Sequence, residues 1–137
     1  MSLSRIVFVF VAVTLSAACA SAQEKGVEWD KYLAEEVGKC QDCHTPRLPD
    51  GKFDESKWMK GSTLRFQPIE LIKDWHKEAP DLTSGSRLFK RWGEDNIVKL
   101  LSEGLDPKGK PADPPMPAYK MKKEDARAIV DYLKTLK

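Results

Sequence analysis

The chain has 137 residues, with 23 basic against 21 acidic residues and a formal net charge of +2 at pH 7. A chain of this length has room for one domain with a modest hydrophobic core. The near balance of charge gives no indication of nucleic-acid binding, so no nucleic-acid partner is expected.

The first 22 residues have the three parts of a secretory signal peptide. A positive charge at Arg5 precedes an apolar run over residues 6–18, and Ala20-Ser21-Ala22 is a small-x-small cleavage site. The run falls short of the ~20 residues that span a bilayer, although a retained anchor helix is the alternative. Cleavage would leave a domain of residues 23–137 in the periplasm, with a charge of +1 because only Arg5 is lost.

Cys19 lies in this leader, where Ser16-Ala17-Ala18-Cys19 looks like a weak bacterial lipobox. Lipidation there would make Cys19 the mature N-terminus. Membrane association is expected only if Cys19 is lipidated or the N-terminal segment is retained. The small-x-small site favours cleavage after Ala22, which leaves Cys40 and Cys43 as the cysteines of the domain.

Residues 29–39 are predicted to form the first helix. Four apolar residues recur at i, i+3, i+4 and i+8 and are expected on one face: Trp29, Tyr32, Leu33 and Val37. Gly38 weakens the end of this helix, where the chain must turn.

The stretch Cys40-Gln41-Asp42-Cys43-His44 is the attachment sequence of c-type haem. Two thiols three residues apart can each add to a different vinyl group of one porphyrin. His44 then lies under the iron and can supply an imidazole nitrogen as the proximal ligand. The sequence therefore predicts one covalent haem c, attached through Cys40 and Cys43, with His44 as an iron ligand.

Two other uses of these residues have weaker support. A tetrahedral zinc site has enough ligands by count when His76 is added, but the adjacent Cys43 and His44 would rarely both reach one ion. A thioredoxin-type Cys-x-x-Cys motif would require a βαβ setting, which the sequence does not indicate.

The middle of the chain is predicted to consist mainly of loops. Residues 45–51 contain two prolines and an Asp-Gly pair, which favour a turn. Residues 52–67 have no clear period and are interpreted as a loop packed over a ligand. Residues 68–77 are predicted to form a short helix that begins at Pro68, and residues 79–85 an irregular linker.

Two further helices are predicted in the C-terminal half. The first covers residues 94–103 and stops at Gly104, and the second covers residues 122–136. Its apolar stripe consists of Ala126, Ile129, Val130, Leu133 and Leu136. Between the helices, residues 107–117 hold five prolines and are expected to be stiff and extended. No convincing β signal is present, so the predicted fold class is all-α, with three main helices and long loops.

A six-coordinate iron needs a second axial ligand, and Met116 is the predicted one. Pro115 and Pro117 fix the backbone on both sides of Met116, so its side chain can be held toward a fixed target. Met/His ligation is the usual arrangement for electron transfer. The alternatives are Met59, Met121 and His76.

With these features in order, the chain resembles the class I cytochromes c. The resemblance lies in the helix that ends at Gly38-Lys39-Cys40, in the haem motif, in Met116-Pro117-Ala118-Tyr119, and in the last helix. The stretch Ala79-Pro80-Asp81-Leu82-Thr83, with Trp92 and the helix to Gly104, is similar to bacterial monohaem cytochromes that work beside periplasmic dehydrogenases.

The resemblance implies a cytochrome c-like fold wrapped around one haem. The first and last helices should cross and pack, which would bring Tyr32 or Leu33 near Tyr132. Arg47 and Trp58 are candidate partners of the haem propionates.

It also implies a hydrogen bond behind the proximal histidine. The carbonyl of a proline after the haem motif should accept the N–H of His44, which would fix the imidazole and strengthen its donation to iron. Pro46 and Pro49 are the candidates.

The predicted function is one-electron transfer by a periplasmic protein, with iron cycling between Fe(III) and Fe(II). Its partners would be redox proteins. No independent catalysis is expected, because no paired carboxylates, nucleophile constellation or phosphate loop can be placed near a substrate site. The alternatives are a haem enzyme or small-molecule sensor with a labile sixth ligand, and the cytochrome subunit of a periplasmic dehydrogenase complex.

Basic residues flank both predicted haem-binding segments, and around an exposed haem edge they would steer an acidic partner. They are Lys39, Arg47, Lys52, Lys108, Lys110, Lys120, Lys122 and Lys123. The interleaved Asp106, Asp113 and Glu124 favour the simpler interpretation, that these are scattered solubilising residues.

Overall fold

The computed structural model describes residues 26–137, so the predicted signal peptide, residues 1–22, and Cys19 lie outside the described residues. The first helix, α1, is α-helical over 26–32 and π-helical over Leu33–Val37. The later helices are α2 (Cys40–His44), α3 (Arg87–Glu103) and α4 (Lys123–Thr135). A 3₁₀ turn covers Glu55–Lys57, and the short strands β1 (Ser62–Thr63) and β2 (Glu78–Ala79) pair antiparallel.

The core lies where α4 packs against α3 and α1. Its main residues are Ala126, Ile129, Val130 and Leu133 from α4, Ile97, Val98 and Leu101 from α3, and Leu33 and Ala34 from α1. The described residues therefore confirm an all-α fold whose three main helices are α1, α3 and α4, with only two-residue strands beside them. Among residues 26–137, no helix has the length and apolar character needed to cross a membrane.

The face predicted for α1 is only partly buried. Leu33 is 7% exposed and belongs to the same core cluster as Tyr132, whereas Trp29, Tyr32 and Val37 are 55%, 47% and 53% exposed. Val37 is exposed because the π-helical turn winds more widely than the 3.6-residue period on which the prediction was based. Of the two residues predicted to approach Tyr132, Leu33 belongs to the core cluster that contains Tyr132, whereas Tyr32 is exposed.

Helix α3 begins earlier than predicted and is interrupted at Gly93. Ser86 caps its start with a side-chain oxygen. Gly93 has φ 72° and ψ 163°, outside the helical region, so the helix predicted from Glu94 is the second of two segments. The predicted stop at Gly104 is confirmed by its left-handed φ of 73°.

Residues 68–77 do not form a helix, and that prediction is wrong. The segment is a loop between β1 and β2, and Asp74 within it has a positive φ of 59°. The N–H of His76 donates to the carbonyl of Pro114 at 2.8 Å, so a tertiary hydrogen bond replaces a helical one. The strand pair that holds the loop was also not predicted, because two residues are too few to produce a periodic signal.

Residues 107–117 contain no helix, as predicted, but they fold back instead of extending. Leu105 and Pro111 form an antiparallel bridge around a turn. A second turn follows, in which the N–H of Met116 donates to the carbonyl of Asp113 at 3.2 Å. These two turns return Met116 to the edge of the core.

Candidate functional site

Helix α2, which contains the haem motif, is held in place by residues distant in sequence. Five residues are too few for a helix to be stable alone. The Ser62 hydroxyl donates to the carbonyl of Cys43 at 2.9 Å, and the N–H of Gly61 donates to the carbonyl of His44 at 2.8 Å. These bonds satisfy carbonyl groups that the end of so short a helix leaves without partners.

His44 has a carbonyl partner, but it is neither of the predicted prolines. Its Nδ1 lies 2.7 Å from the carbonyl oxygen of Pro80. The carbonyl of Pro46 instead accepts the N–H of Asp54 at 2.8 Å, and Pro49 lies in an exposed turn. The prediction was wrong because it relied on proximity in sequence, whereas the pairing of β1 with β2 brings Pro80 in from 36 residues away.

This hydrogen bond determines which nitrogen of His44 is free. A carbonyl oxygen only accepts, so Nδ1 carries the proton and Nε2 keeps its lone pair. Burial lowers the pKa of His44, because the charged imidazole is poorly solvated there, while the bond to Pro80 opposes that shift. A neutral imidazole held through Nδ1 and free at Nε2 is the form that ligates a metal.

Gly61 holds the Pro80 loop beside His44, and sequence reasoning missed both Gly61 and Pro80. Gly61 has a φ of +84°, and a Cβ at this position would lie 2.8 Å from the carbonyl oxygen of Ala79 and 2.9 Å from the amide nitrogen of Asp81. Only glycine permits this approach. The stretch around Pro80 carried part of the resemblance to the cytochromes, and that match was the available signal for Pro80. An isolated glycine in aperiodic sequence gives no comparable signal.

Cys40 and Cys43 are both free thiols on α2. Burial raises the pKa of Cys40 to about 11 and also raises that of Cys43. Thiols that stay protonated at neutral pH argue against a redox-active Cys-x-x-Cys pair. Within residues 26–137, no group of three or more His, Cys, Asp or Glu side chains is placed to hold a metal ion, so the zinc hypothesis gains no support. Two free thiols and a neutral histidine fit a covalently attached haem.

Met116 is linked to the motif region through Tyr119. The Tyr119 hydroxyl donates to the carbonyl of Gly38 at 2.6 Å, which joins the segment after Met116 to the residue two positions before Cys40. Burial and the nearby Cys40 raise the pKa of Tyr119 to about 12. Met116 itself is half-buried against the core. The two predicted ligand segments are therefore fastened to each other.

Met59 is the most deeply buried of the alternatives for the second axial position. Its N–H donates to the Thr45 hydroxyl at 2.9 Å, and its carbonyl accepts the N–H of Leu82 at 2.8 Å. Thr45 directly follows His44, so Met59 is attached to the segment that contains the predicted proximal ligand. Met59 stays an alternative to Met116.

Met121 and His76 are the remaining alternatives. Met121 is half-buried two residues before α4, where its N–H donates to the carbonyl of Leu101 at 3.1 Å. His76 is exposed, and its Nε2 lies 3.2 Å from a carboxylate oxygen of Asp113. An exposed histidine with a carboxylate partner is typical of a surface residue.

Arg47 and Trp58, the predicted propionate partners, both line an open groove of about 610 Å³. No residue of the haem motif lines this groove. The Arg47 guanidinium lies 4.0 Å from the centre of the Phe53 ring. The Trp58 indole N–H is 3.1 Å from Glu35 Oε1 and 3.3 Å from the Tyr132 hydroxyl. Both side chains have partners within the chain, and their contact with a propionate stays a prediction.

Glu35 is the centre of a half-buried polar cluster that sequence reasoning missed. Its carboxylate accepts hydrogen bonds from the Tyr132 hydroxyl and from the Trp58 indole. Burial, together with the hydrogen bond to Glu35, raises the pKa of Tyr132. The cluster fastens α1 to α4 immediately before the haem motif, and the pattern of charged residues in α1 gives no hint of it.

Helices packed around two attachment cysteines and a buried neutral histidine are typical of proteins that bind c-type haem. Comparison with protein families agrees, since the Cytochrome c family matches residues 33–137. The match covers well over half of the sequence, and the chain therefore belongs to the cytochrome c family. Membership confirms the resemblance and the cytochrome c-like fold, and with them haem-based electron transfer as the broad function.

Two relatives are larger proteins that contain similar sequence. A diheme cytochrome c-type protein of Cereibacter sphaeroides is 32% identical over 120 residues, which cover 84% of this chain and 36% of that protein. A nicotinate dehydrogenase subunit of Pseudomonas putida is 30% identical over 121 residues, which cover 82% of this chain and 9% of that protein. The chain thus spans about a third of the first relative and about a tenth of the second.

Proposed function

We propose that this protein is a one-electron carrier in which Cys40 and Cys43 hold a single haem c and His44 and Met116 ligate its iron. The observation that carries the proposal is the environment of the buried His44. Its Nδ1 lies 2.7 Å from the Pro80 carbonyl oxygen, and the helix that contains His44 also contains the two free thiols. This arrangement leaves Nε2 available to iron. We expect no catalysis by the chain on its own.

Haem c, when bound, supplies an iron centre that takes up and releases one electron. The chain's part is to hold both axial side chains in place in either oxidation state. His44 is fixed by the Pro80 carbonyl at Nδ1 and by Gly61 at its own carbonyl. Met116 lies between the turn at Asp113 and the anchored Tyr119. With His44 and Met116 both held in this way, little rearrangement of the chain would be needed on electron transfer, and Met116 would keep small ligands away from the iron.

We also propose that the chain works in the periplasm, because residues 1–22 have the pattern of a signal peptide. Its partners are then redox proteins of that compartment. Similarity to a nicotinate dehydrogenase subunit favours a narrower candidate, a cytochrome subunit of a periplasmic dehydrogenase complex. Purification of the native protein separates the two. A dehydrogenase that co-purifies supports the narrower candidate, and a haem protein that elutes alone supports a free carrier.

The proposal is tested with three variants of the haem-loaded protein, each of which replaces one methionine: Met116→Leu, Met59→Leu and Met121→Leu. Leucine conserves volume but offers no ligand atom. We expect the oxidised wild-type protein to show the weak long-wavelength Met-to-ferric absorption band. It should also bind cyanide poorly when oxidised and CO poorly when reduced. Met116→Leu should lose the band and bind both ligands readily, and the two control variants should retain the wild-type behaviour.

Other results would redirect the proposal. If the band survives in Met116→Leu and disappears in one control variant, the sixth ligand is that methionine. If the wild-type protein has no band and binds CO and cyanide rapidly, a haem enzyme or sensor with a labile sixth position is the better description. Replacement of both Cys40 and Cys43 by alanine should leave no haem bound after denaturation, and retained haem would contradict the attachment residues.

A further inference from the structure

The Trp75 indole N–H is a buried donor without a partner. Its Nε1 makes no hydrogen bond to any described residue. The ring packs edge-on against Phe66, with centroids 5.8 Å apart and planes at 84°. Buried polar groups in native proteins are nearly always hydrogen-bonded, and each exception requires an explanation.

Trp75 lies in a segment that connects the two predicted ligand regions. The next residue, His76, donates its N–H at 2.8 Å to the carbonyl of Pro114, two residues before Met116. Further along the chain in the same direction, strand β2 leads directly to Pro80, whose carbonyl holds His44. Trp75 therefore lies just before a segment that contacts the Met116 loop and then supports the proximal histidine.

Trp58, the tryptophan predicted to meet a propionate, differs in this respect. Its N–H is already directed at Glu35 and Tyr132. An indole has a single donor and no acceptor, so that donor is in use. Trp75 has the same single donor but lacks an acceptor among the described residues, so its acceptor is expected to come from outside the described part of the chain.

We propose that the Trp75 Nε1–H donates a hydrogen bond to a propionate carboxylate of the haem; this inference rests on the proposed function. Carboxylates accept strong, charge-assisted hydrogen bonds, and a bound haem brings two of them. The bond would hold one edge of the porphyrin and offset part of the negative charge of the propionate. Less uncompensated negative charge near the iron favours Fe(II), so Trp75 would raise the reduction potential.

The test uses haem-loaded Trp75→Phe, which keeps an aromatic ring against Phe66 but has no N–H donor. Trp29→Phe, at an exposed tryptophan, is the matched control. We expect Trp75→Phe to have a lower reduction potential than wild type and a shifted propionate bending mode in its resonance Raman spectrum. Trp29→Phe should show neither change. Wild-type values in Trp75→Phe, or the same changes in Trp29→Phe, would overturn the assignment.

A second measurement needs no variant. In the reduced wild-type protein labelled with ¹⁵N, the Trp75 Nε1–H is identified by its through-space contacts to the Phe66 ring. It should contact propionate methylene protons, and its solvent exchange should be at least about tenfold slower than that of the exposed Trp29. Absence of those contacts in a haem-loaded protein contradicts this inference alone. A wild-type protein without covalent haem contradicts the proposed function and, with it, the role of Trp75.

Discussion

At the scale of single residues, Gly61 shows how closely the support of the proximal histidine is packed. Its φ of +84° and the approach of Ala79 and Asp81 to within 3 Å leave no room for a side chain. We expect Gly61→Ala to lower the free energy of unfolding by about 2–4 kcal/mol, through backbone strain and forced displacement of the Pro80 loop. Urea unfolding of the haem-loaded protein measures the loss.

Gly51 provides the matched control for Gly61→Ala. It has nearly the same φ, +87°, but nothing lies within 4 Å of the position a Cβ would take. Gly51→Ala should therefore cost only the backbone strain, about 1 kcal/mol. Equal losses in the two variants would show that the close approach to the Pro80 loop contributes nothing.

The Tyr119 hydroxyl predicts a pH dependence, because it can donate to Gly38 only while protonated. The pKa of Tyr119 is raised to about 12, so the folded state keeps this proton where the unfolded chain has begun to lose it. The contribution of the bond is therefore complete below the unfolded pKa of about 10 and is lost as the pH rises through about 12. At pH 7, Tyr119→Phe should lower the free energy of unfolding by about 1 kcal/mol.

The pH dependence is measured by comparing wild type with Tyr119→Phe across this range. The difference in free energy of unfolding should shrink as the pH approaches 12, because the wild type then also lacks the bond. The Met-to-ferric band should weaken over the same range in the wild type, since Tyr119 anchors the Met116 segment. A difference that stays constant from pH 7 to pH 12 would rule out this role for the hydroxyl.

At the scale of elements, the stability of the domain is concentrated in the packing of α4. Ile129 on this helix is 1% exposed, whereas Ile69 in the loop between β1 and β2 is fully exposed. Ile129→Ala should destabilise the protein by about 2–5 kcal/mol, because it removes buried methyl groups and leaves a cavity. Ile69→Ala should change stability by no more than about 0.5 kcal/mol. Thermal or urea unfolding of both variants tests the contrast, and similar losses would contradict it.

The same contrast explains which elements were predictable from sequence. Helix α4 and the second segment of α3 bury continuous apolar stripes, so their residues carry a helical period. In residues 68–77, Ile69, Ile72 and Trp75 also lie at helical spacing, yet Ile69 is fully exposed and Ile72 is 47% exposed. Periodicity indicates a helix only where another element covers the apolar face.

At the scale of the whole molecule, charge is distributed too evenly to steer a partner strongly. Three basic residues near the haem motif have carboxylate neighbours within 4 Å: Lys39, Arg47 and Lys52. The lysines around the Met116 loop are interleaved with Asp106, Asp113 and Glu124 along the chain. Strong steering changes association rates by 10- to 1,000-fold. For this protein we expect the rate of association with an acidic partner to change by well below about tenfold between low and high ionic strength.

Stopped-flow electron transfer with an acidic redox protein at low and high ionic strength measures this dependence. A fall of about tenfold or more on adding salt would contradict the even distribution and favour a basic docking rim. In that case Lys108→Gln should slow the reaction more than Lys52→Gln, because Lys52 has Asp50 at 3.5 Å and Lys108 has no carboxylate within 4 Å among the described residues.

Features that depend on local spacing could be predicted from the amino-acid sequence. The interval between Cys40 and Cys43, with His44 adjacent, predicts haem attachment without any knowledge of the fold, because these residues fall on a single turn of chain. Periodicity predicts α4 and the second segment of α3 in the same way. The residues that support the motif became visible only in the folded protein: Pro80 behind His44, Gly61 against the Pro80 loop, and Trp75, whose N–H has no partner among the described residues. These contacts join residues far apart in the chain, and their pairing is set by the packing of α1, α3 and α4 and by a two-residue strand pair that leaves no periodic trace in the sequence.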